Sequence, residues 1–165
     1  MIEPHAIINA LAVDRERVLD FFAYFSRFEY SLKRSRFLKP GERAEPNWDS
    51  YANTLRGRFA GVQDAEFRDA VAFLRREPPK TQVVSGNDLG WTETTRGNGE
   101  QDEHYVLRLV RTVRNNLFHG GKYPYPTGPM AEVARNRRLL EAAITVLGQC
   151  LELSANVRGA FEEAA

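Results

Sequence analysis

Residues Asp102 to Gly121, DEHYVLRLVRTVRNNLFHGG, decide the fold. Val106, Leu109, Val110, Val113 and Leu117 recur at three- and four-residue intervals and share one face of a helix. Asn98 is a candidate cap, and Glu100, Asp102 and Glu103 suit the positive end of the helix dipole. Gly120 and Gly121 follow, and glycine closes a helix because it accepts the left-handed backbone of the residue after the last turn. The stretch predicts one amphipathic helix that must bury its apolar side against other elements.

The same period recurs along most of the chain. Val18, Phe21, Phe22, Phe25, Phe28 and Leu32 give a long aromatic face, with Asp14 as N-cap and Val13 and Val18 placed as a hydrophobic staple. Ile7, Ile8 and Leu11 extend that pattern upstream, and Lys39-Pro40-Gly41 ends it. A second helix opens at Asn47 and carries Trp48, Tyr51, Leu55 and Phe59 to Gly61. A third opens at Asp64, carries Phe67, Val71 and Leu74, and stops at Pro78-Pro79. Residues 80 to 99 have no helical period; Thr81 to Val84 can be extended and Gly86-Asn87-Asp88 reads as a turn. The fifth helix runs from about Met130 to Leu153, with Leu140, Ala143, Ile144, Leu147, Cys150 and Leu151 inside. The tail from Ser154 has room for one short helix. The expected fold is all-α, an antiparallel bundle of about five helices in one domain over residues 1–165, with strand content close to zero.

Composition narrows the function classes. The chain has 165 residues, enough for one core and too few for two ordinary domains. Lys plus Arg is 23 against 22 for Asp plus Glu, so the net charge of +1 gives no global pull toward a polyanion, and local clusters would have to hold one. The single cysteine, Cys150, excludes an intrachain disulfide framework and a cysteine-based zinc site. It falls on the apolar stripe of the fifth helix and reads as core. His5 and His104 show no partner spacing, and Ser35, Ser85 and Ser154 have no neighbouring base pattern. Trp48 and Trp91 read as packing anchors. No run approaches the roughly 18–20 apolar residues of a membrane span. The start, Met1 to His5, lacks a signal-peptide pattern, so the expected location is the cytoplasm.

The candidate site is Arg114-Asn115-Asn116-Leu117-Phe118-His119. His119 and Asn115 are four residues apart and share a face nearly opposite the apolar stripe. A cation is favoured at that helix end. Arg114 lies roughly 140° around the helix from His119, so in an ideal helix the two side chains diverge.

Arg114, the polar Asn115 directly after it and His119 resemble the signature of the HEPN superfamily, an arginine followed after four to six residues by a histidine near the end of a bundle helix. The phrase Arg-Asn-Asn-Leu-Phe-His-Gly-Gly-Lys resembles small bacterial members, and Phe25-Ser-Arg-Phe-Glu-Tyr30 in the long first helix agrees. The resemblance implies a metal-independent endoribonuclease without a cofactor, in which two protomers line one cleft with both motifs. Such a homodimer would bring the diverging pair together. The residues suit the chemistry: histidine transfers protons near neutral pH, arginine's fork stabilises the phosphorane oxygens, and Asn115 orients the histidine or the phosphate. The family's settings imply a toxin with a possible antitoxin protein, or a phage-defence effector. It also contains catalytically silent modules that bind RNA, a nucleotide or a protein. From another class, a structural helical interaction protein stays open.

Further residues are candidate RNA contacts. Arg108 and Arg111 form either a phosphate-binding ridge or a solvated face. Lys122, Tyr123 and Tyr125 either stack bases beside a phosphate or pack the proline-rich loop onto the bundle. Lys33, Arg34 and Arg36 suit a helix C-terminus without any ligand, and Arg135, Arg137 and Arg138 read as a solvated face.

Overall fold

The fold is mainly helical. The computed structural model describes Glu3, residues 13–118 and residues 133–163. The upstream extension at Ile7, Ile8 and Leu11 and the glycine pair Gly120-Gly121 lie outside the described residues.

Helix α1 (Arg15–Arg34) starts at Asp14, whose carboxylate accepts the backbone N–H groups of Glu16 and Arg17 at 3.0 and 3.2 Å. Two of the four donors left over at a helix start are thereby satisfied. Phe21, Phe25, Phe28 and Leu32 are buried as the period requires. Phe22 is not: it is 48% exposed and packs on Phe118, with ring centroids 5.5 Å apart. Its place at the edge of the apolar arc leaves it on the surface. The chain then folds back on itself through Lys39 N–H to Glu45 C=O and Asn47 N–H to Phe37 C=O, at 3.0 and 2.9 Å.

Helix α2 (Trp48–Thr54) is capped by Asn47, whose side-chain oxygen accepts from Ser50 N–H at 3.0 Å. It is shorter than its apolar period predicts. The Thr54 hydroxyl turns back to the Tyr51 carbonyl, Gly57 takes φ +74°, and Phe59–Gly61 form a separate 3-10 turn. Helix α3 (Ala65–Arg76) opens at Asp64, which accepts Phe67 N–H at 2.7 Å.

The expectation of almost no strand is corrected over residues 81–92. Strands β1 (Thr81–Ser85) and β2 (Asp88–Thr92) form an antiparallel hairpin across Gly86-Asn87, in the register Thr81 to Thr92 and Val83 to Gly90. Gly86 has φ +63°, as a tight two-residue turn demands. Gly90 fits its place because a Cβ there would stand 2.9 Å from that of Ser85. Thr94, buried beyond the hairpin, donates to the Pro79 carbonyl at 2.6 Å and closes the base.

Helix α4 (Asp102–Phe118) follows, then α5 (Val133–Glu152) and α6 (Ala155–Glu162). Asn98 does not cap α4, which begins at Asp102. Glu100 instead accepts Gly97 N–H at 2.9 Å inside the preceding turn. Val106, Leu109, Val110 and Val113 are buried as the stripe predicts, in one core with Leu139, Leu140, Ala143 and Leu147 of α5. Helix α5 also packs against α1, α3 and α6, which places the core around it. Cys150 is buried there, and burial pushes its thiol pKa up, away from a reactive thiolate. Among the described residues no helix is long and apolar enough to cross a membrane.

Candidate functional site

Helices α1 and α4, the first residue of α2 and the folded-back segment between α1 and α2 enclose a cleft of about 360 Å³. Its lining comes from four places in the sequence. Phe25 and Glu29, one turn apart, come from α1; Lys39, Glu45 and Pro46 come from the folded-back segment; Trp48 opens α2; Arg111, Arg114 and Asn115 come from the outer side of α4.

Trp48 is the floor. It is 4% exposed and stacks on Phe25 and Phe28, with centroids 5.5 Å away in each case. Its indole N–H donates to Glu29 Oε1 at 3.0 Å, and the Arg111 guanidinium lies over its ring, 5.9 Å from the centroid. One side chain thus fixes an acid and a base of the cleft. The guanidinium of Arg114 lies over Phe25 and Phe118 at 5.8 and 5.2 Å, and its Nη1 donates to Asn115 Oδ1 at 3.0 Å. Aromatic faces attract such cations without neutralising them. Neither Arg111 nor Arg114 has a carboxylate partner among the described residues, while Lys39 and Glu45 pair at 3.2 Å on the rim. With that pair balanced, two arginines face one carboxylate, and the cleft favours an anion.

Of the residues singled out in the sequence, the fold brings Arg111, Arg114 and Asn115 together. His119, Lys122, Tyr123 and Tyr125 lie outside the described residues. Arg108 does not line the cleft. Its Nε and Nη2 bind the Glu100 carboxylate at 2.8 and 2.6 Å, Nη2 also donates to the Thr95 carbonyl, and the guanidinium lies over Tyr105. The Arg108 hydrogen bonds hold the Glu100 carboxyl below its ordinary pKa. That guanidinium ties the loop before α4 to the helix. The ridge of Arg108 and Arg111 therefore divides, one arginine serving the fold and the other facing the cleft.

Glu29, Trp48 and the Lys39–Glu45 rim are the cleft residues that motif reading missed. The sequence carried one signal for Glu29: an acid four residues after Phe25, beside an aromatic stripe. Asn116 takes a structural part, donating its Nδ2–H to the Lys80 carbonyl at 2.7 Å and tying the end of α4 to the foot of the hairpin. His104 meets Asn53 Oδ1 at 3.0 Å through Nε2, away from the cleft. Among the described residues no group of three His, Cys, Asp or Glu side chains could hold a metal ion.

No family model matches the chain, and neither does any curated protein or solved structure.

Proposed function

We propose that the protein is a metal-independent endoribonuclease of the HEPN type, acting as a homodimer in which the α4 ends of two protomers share one cleft. The observation that carries this reading is the pair Arg114 and Asn115, hydrogen-bonded at 3.0 Å beside Arg111 at the mouth of the cleft. These groups offer a phosphate planar donors that no internal carboxylate occupies, and a guanidinium fork matches phosphate geometry with two parallel hydrogen bonds. His119 follows the last residue of α4 in the chain. In the proposed reaction the ribose 2′-oxygen attacks the adjacent phosphorus while histidine removes its proton. The 5′-oxygen of the next nucleotide leaves and takes a proton, giving a 2′,3′-cyclic phosphate. Arg114 stabilises the charge on the non-bridging oxygens and Asn115 orients the phosphate.

His119→Ala and Arg114→Ala each lower cleavage of single-stranded RNA by about a hundredfold or more, the scale of losing a proton-transfer group or a transition-state donor. Thermal unfolding of both variants serves as the control. Cleavage withstands EDTA, and a 2′-deoxy sugar at the scissile position blocks it. Wild-type turnover by well-folded His119→Ala protein overturns the reading.

A protein-binding module is the second reading, and one observation favours it. Val84 and Leu89 on the hairpin are 80% and 59% exposed, side chains a binding partner would cover. RNA neither cut nor retained would leave that reading standing alone.

A further inference from the structure

Beyond the phosphate contacts, the cleft holds a carboxylate whose presence a nuclease of this design does not explain. Glu29 is partly buried and lines the cleft with Arg111 and Arg114, yet it forms no ion pair with either. Its one described hydrogen bond is the Trp48 indole N–H on Oε1, which leaves Oε2 and further lone pairs free to accept. A phosphate alone gains nothing from an anion in the same cleft. A ligand that carries both a phosphate and a face rich in N–H donors does.

We infer that the Glu29–Trp48–Arg111 side of the cleft is a base-recognition subsite for an unpaired guanine next to the phosphate held by Arg114. The inference rests on the RNA-cleavage reading for the identity of that phosphate. The donor and acceptor patterns select the base. Guanine presents two parallel donors, N1–H and the 2-amino group, which one carboxylate accepts together. On another edge it offers O6 and N7, the pair of acceptors that an arginine fork binds. Adenine and cytosine each offer one amino donor beside a ring acceptor, which repels a carboxylate. Uracil's single N–H lies between two carbonyls. The Trp48 indole holds both reading groups from one rigid floor, with Glu29 Oε1 on its N–H and the Arg111 guanidinium over its face. A cleft of about 360 Å³ admits one base and its phosphate.

The test compares base-varied strands on the wild-type protein and on one variant. Dye-labelled pentanucleotides that are 2′-O-methylated at every position, and so cannot be cut at the 2′ oxygen, carry guanine, adenine, hypoxanthine or 7-deazaguanine at the centre between uracils, and anisotropy gives their affinities. Guanosine binds about tenfold or more tighter than adenosine. Inosine, lacking the 2-amino group, and 7-deazaguanosine, lacking N7, each lose several-fold. Glu29→Gln keeps an acceptor for Trp48 and brings guanosine and adenosine within about twofold of each other. Cleavage of the matching all-ribose strands is followed in parallel. Guanine-selective binding without cleavage supports the subsite and overturns the nuclease reading. Cleavage that proceeds with binding indifferent to the central base overturns the subsite and leaves the nuclease reading intact; base-indifferent binding without cleavage overturns both. Pentanucleotides that neither bind nor are cut overturn both.

Discussion

Asn115 and Asn116 are chemically identical neighbours with opposite duties. Asn115 is exposed and bonds Arg114 at the cleft, whereas Asn116 turns inward and fills the Lys80 carbonyl. About 100° of rotation per residue separates them, enough to place one in water and the next against the hairpin. Replacing Asn116 with Ala strands a partly buried acceptor and costs about 1–3 kcal/mol, read as a fall in the midpoint of chemical denaturation. Asn115→Ala leaves that midpoint almost unmoved and lowers RNA cleavage instead. Equal stability losses at both positions would contradict the division of roles. At this scale the sequence was informative where spacing alone decides direction, as for the buried valines of α4. It was silent on Arg108, because Glu100 reaches that side chain only after the chain bends at Gly97 and Gly99. For Glu29 it offered only the spacing from Phe25, because its partner Trp48 is brought alongside by the folded-back segment.

The helices were legible where their starts carry acids or amides. Asp14, Asn47 and Asp64 each accept the backbone donors their positions predict. The hairpin was legible in half: Thr81 to Val84 read as extended and Gly86-Asn87-Asp88 as a turn, but β2 did not show, since Asp88, Leu89 and Gly90 supply a weak strand pattern whose pairing depends on β1. The loop between hairpin and α4 is held by the ion pairs of Arg108 with Glu100, Arg96 with Asp102 and Lys80 with Glu93, and Arg75 also joins Asp102 in the first turn of α4. Glu100→Gln lowers stability at neutral pH by up to about 1 kcal/mol, a modest figure because Arg108 is more than a third exposed. The folded-state pKa of Glu100 is depressed, so its contribution is present above the ordinary carboxylate pKa near about 4.3 and is lost as pH falls through the lower folded value. The difference between wild type and variant is therefore constant from about pH 7 to pH 5.5 and closes in acid. Denaturation series across that range check it, and a gap that widens on acidification refutes the pairing.

For the molecule as a whole, the proposed dimer would make the cleft half of a composite site. Leu19, Phe22 and Phe118 are exposed, the last two in ring contact, and Arg114 lies over Phe118. An apolar surface that adjoins the arginine of the motif is a fitting seam for a two-fold contact. The expected outcome of light scattering over a concentration series is a dimer at micromolar protein, and a specific contact of that kind would bury more than about 1,000 Å². Phe22→Ser shifts it toward monomer and lowers cleavage with it. Mixing His119→Ala with Arg114→Ala protein restores part of the activity if each half-site borrows from both chains. A monomer cutting RNA at full rate removes the composite site.

Trp48 has one more consequence. The protein holds two indoles, and they differ in setting: Trp48 is buried under the cleft between an acid and a guanidinium, whereas Trp91 lies partly exposed on β2 opposite Gln82. Their emission is therefore separable, blue-shifted from the first and redder from the second. In Trp91→Phe protein the remaining indole emission comes from the cleft floor alone, so the chain carries its own optical reporter at the place where a ligand would arrive.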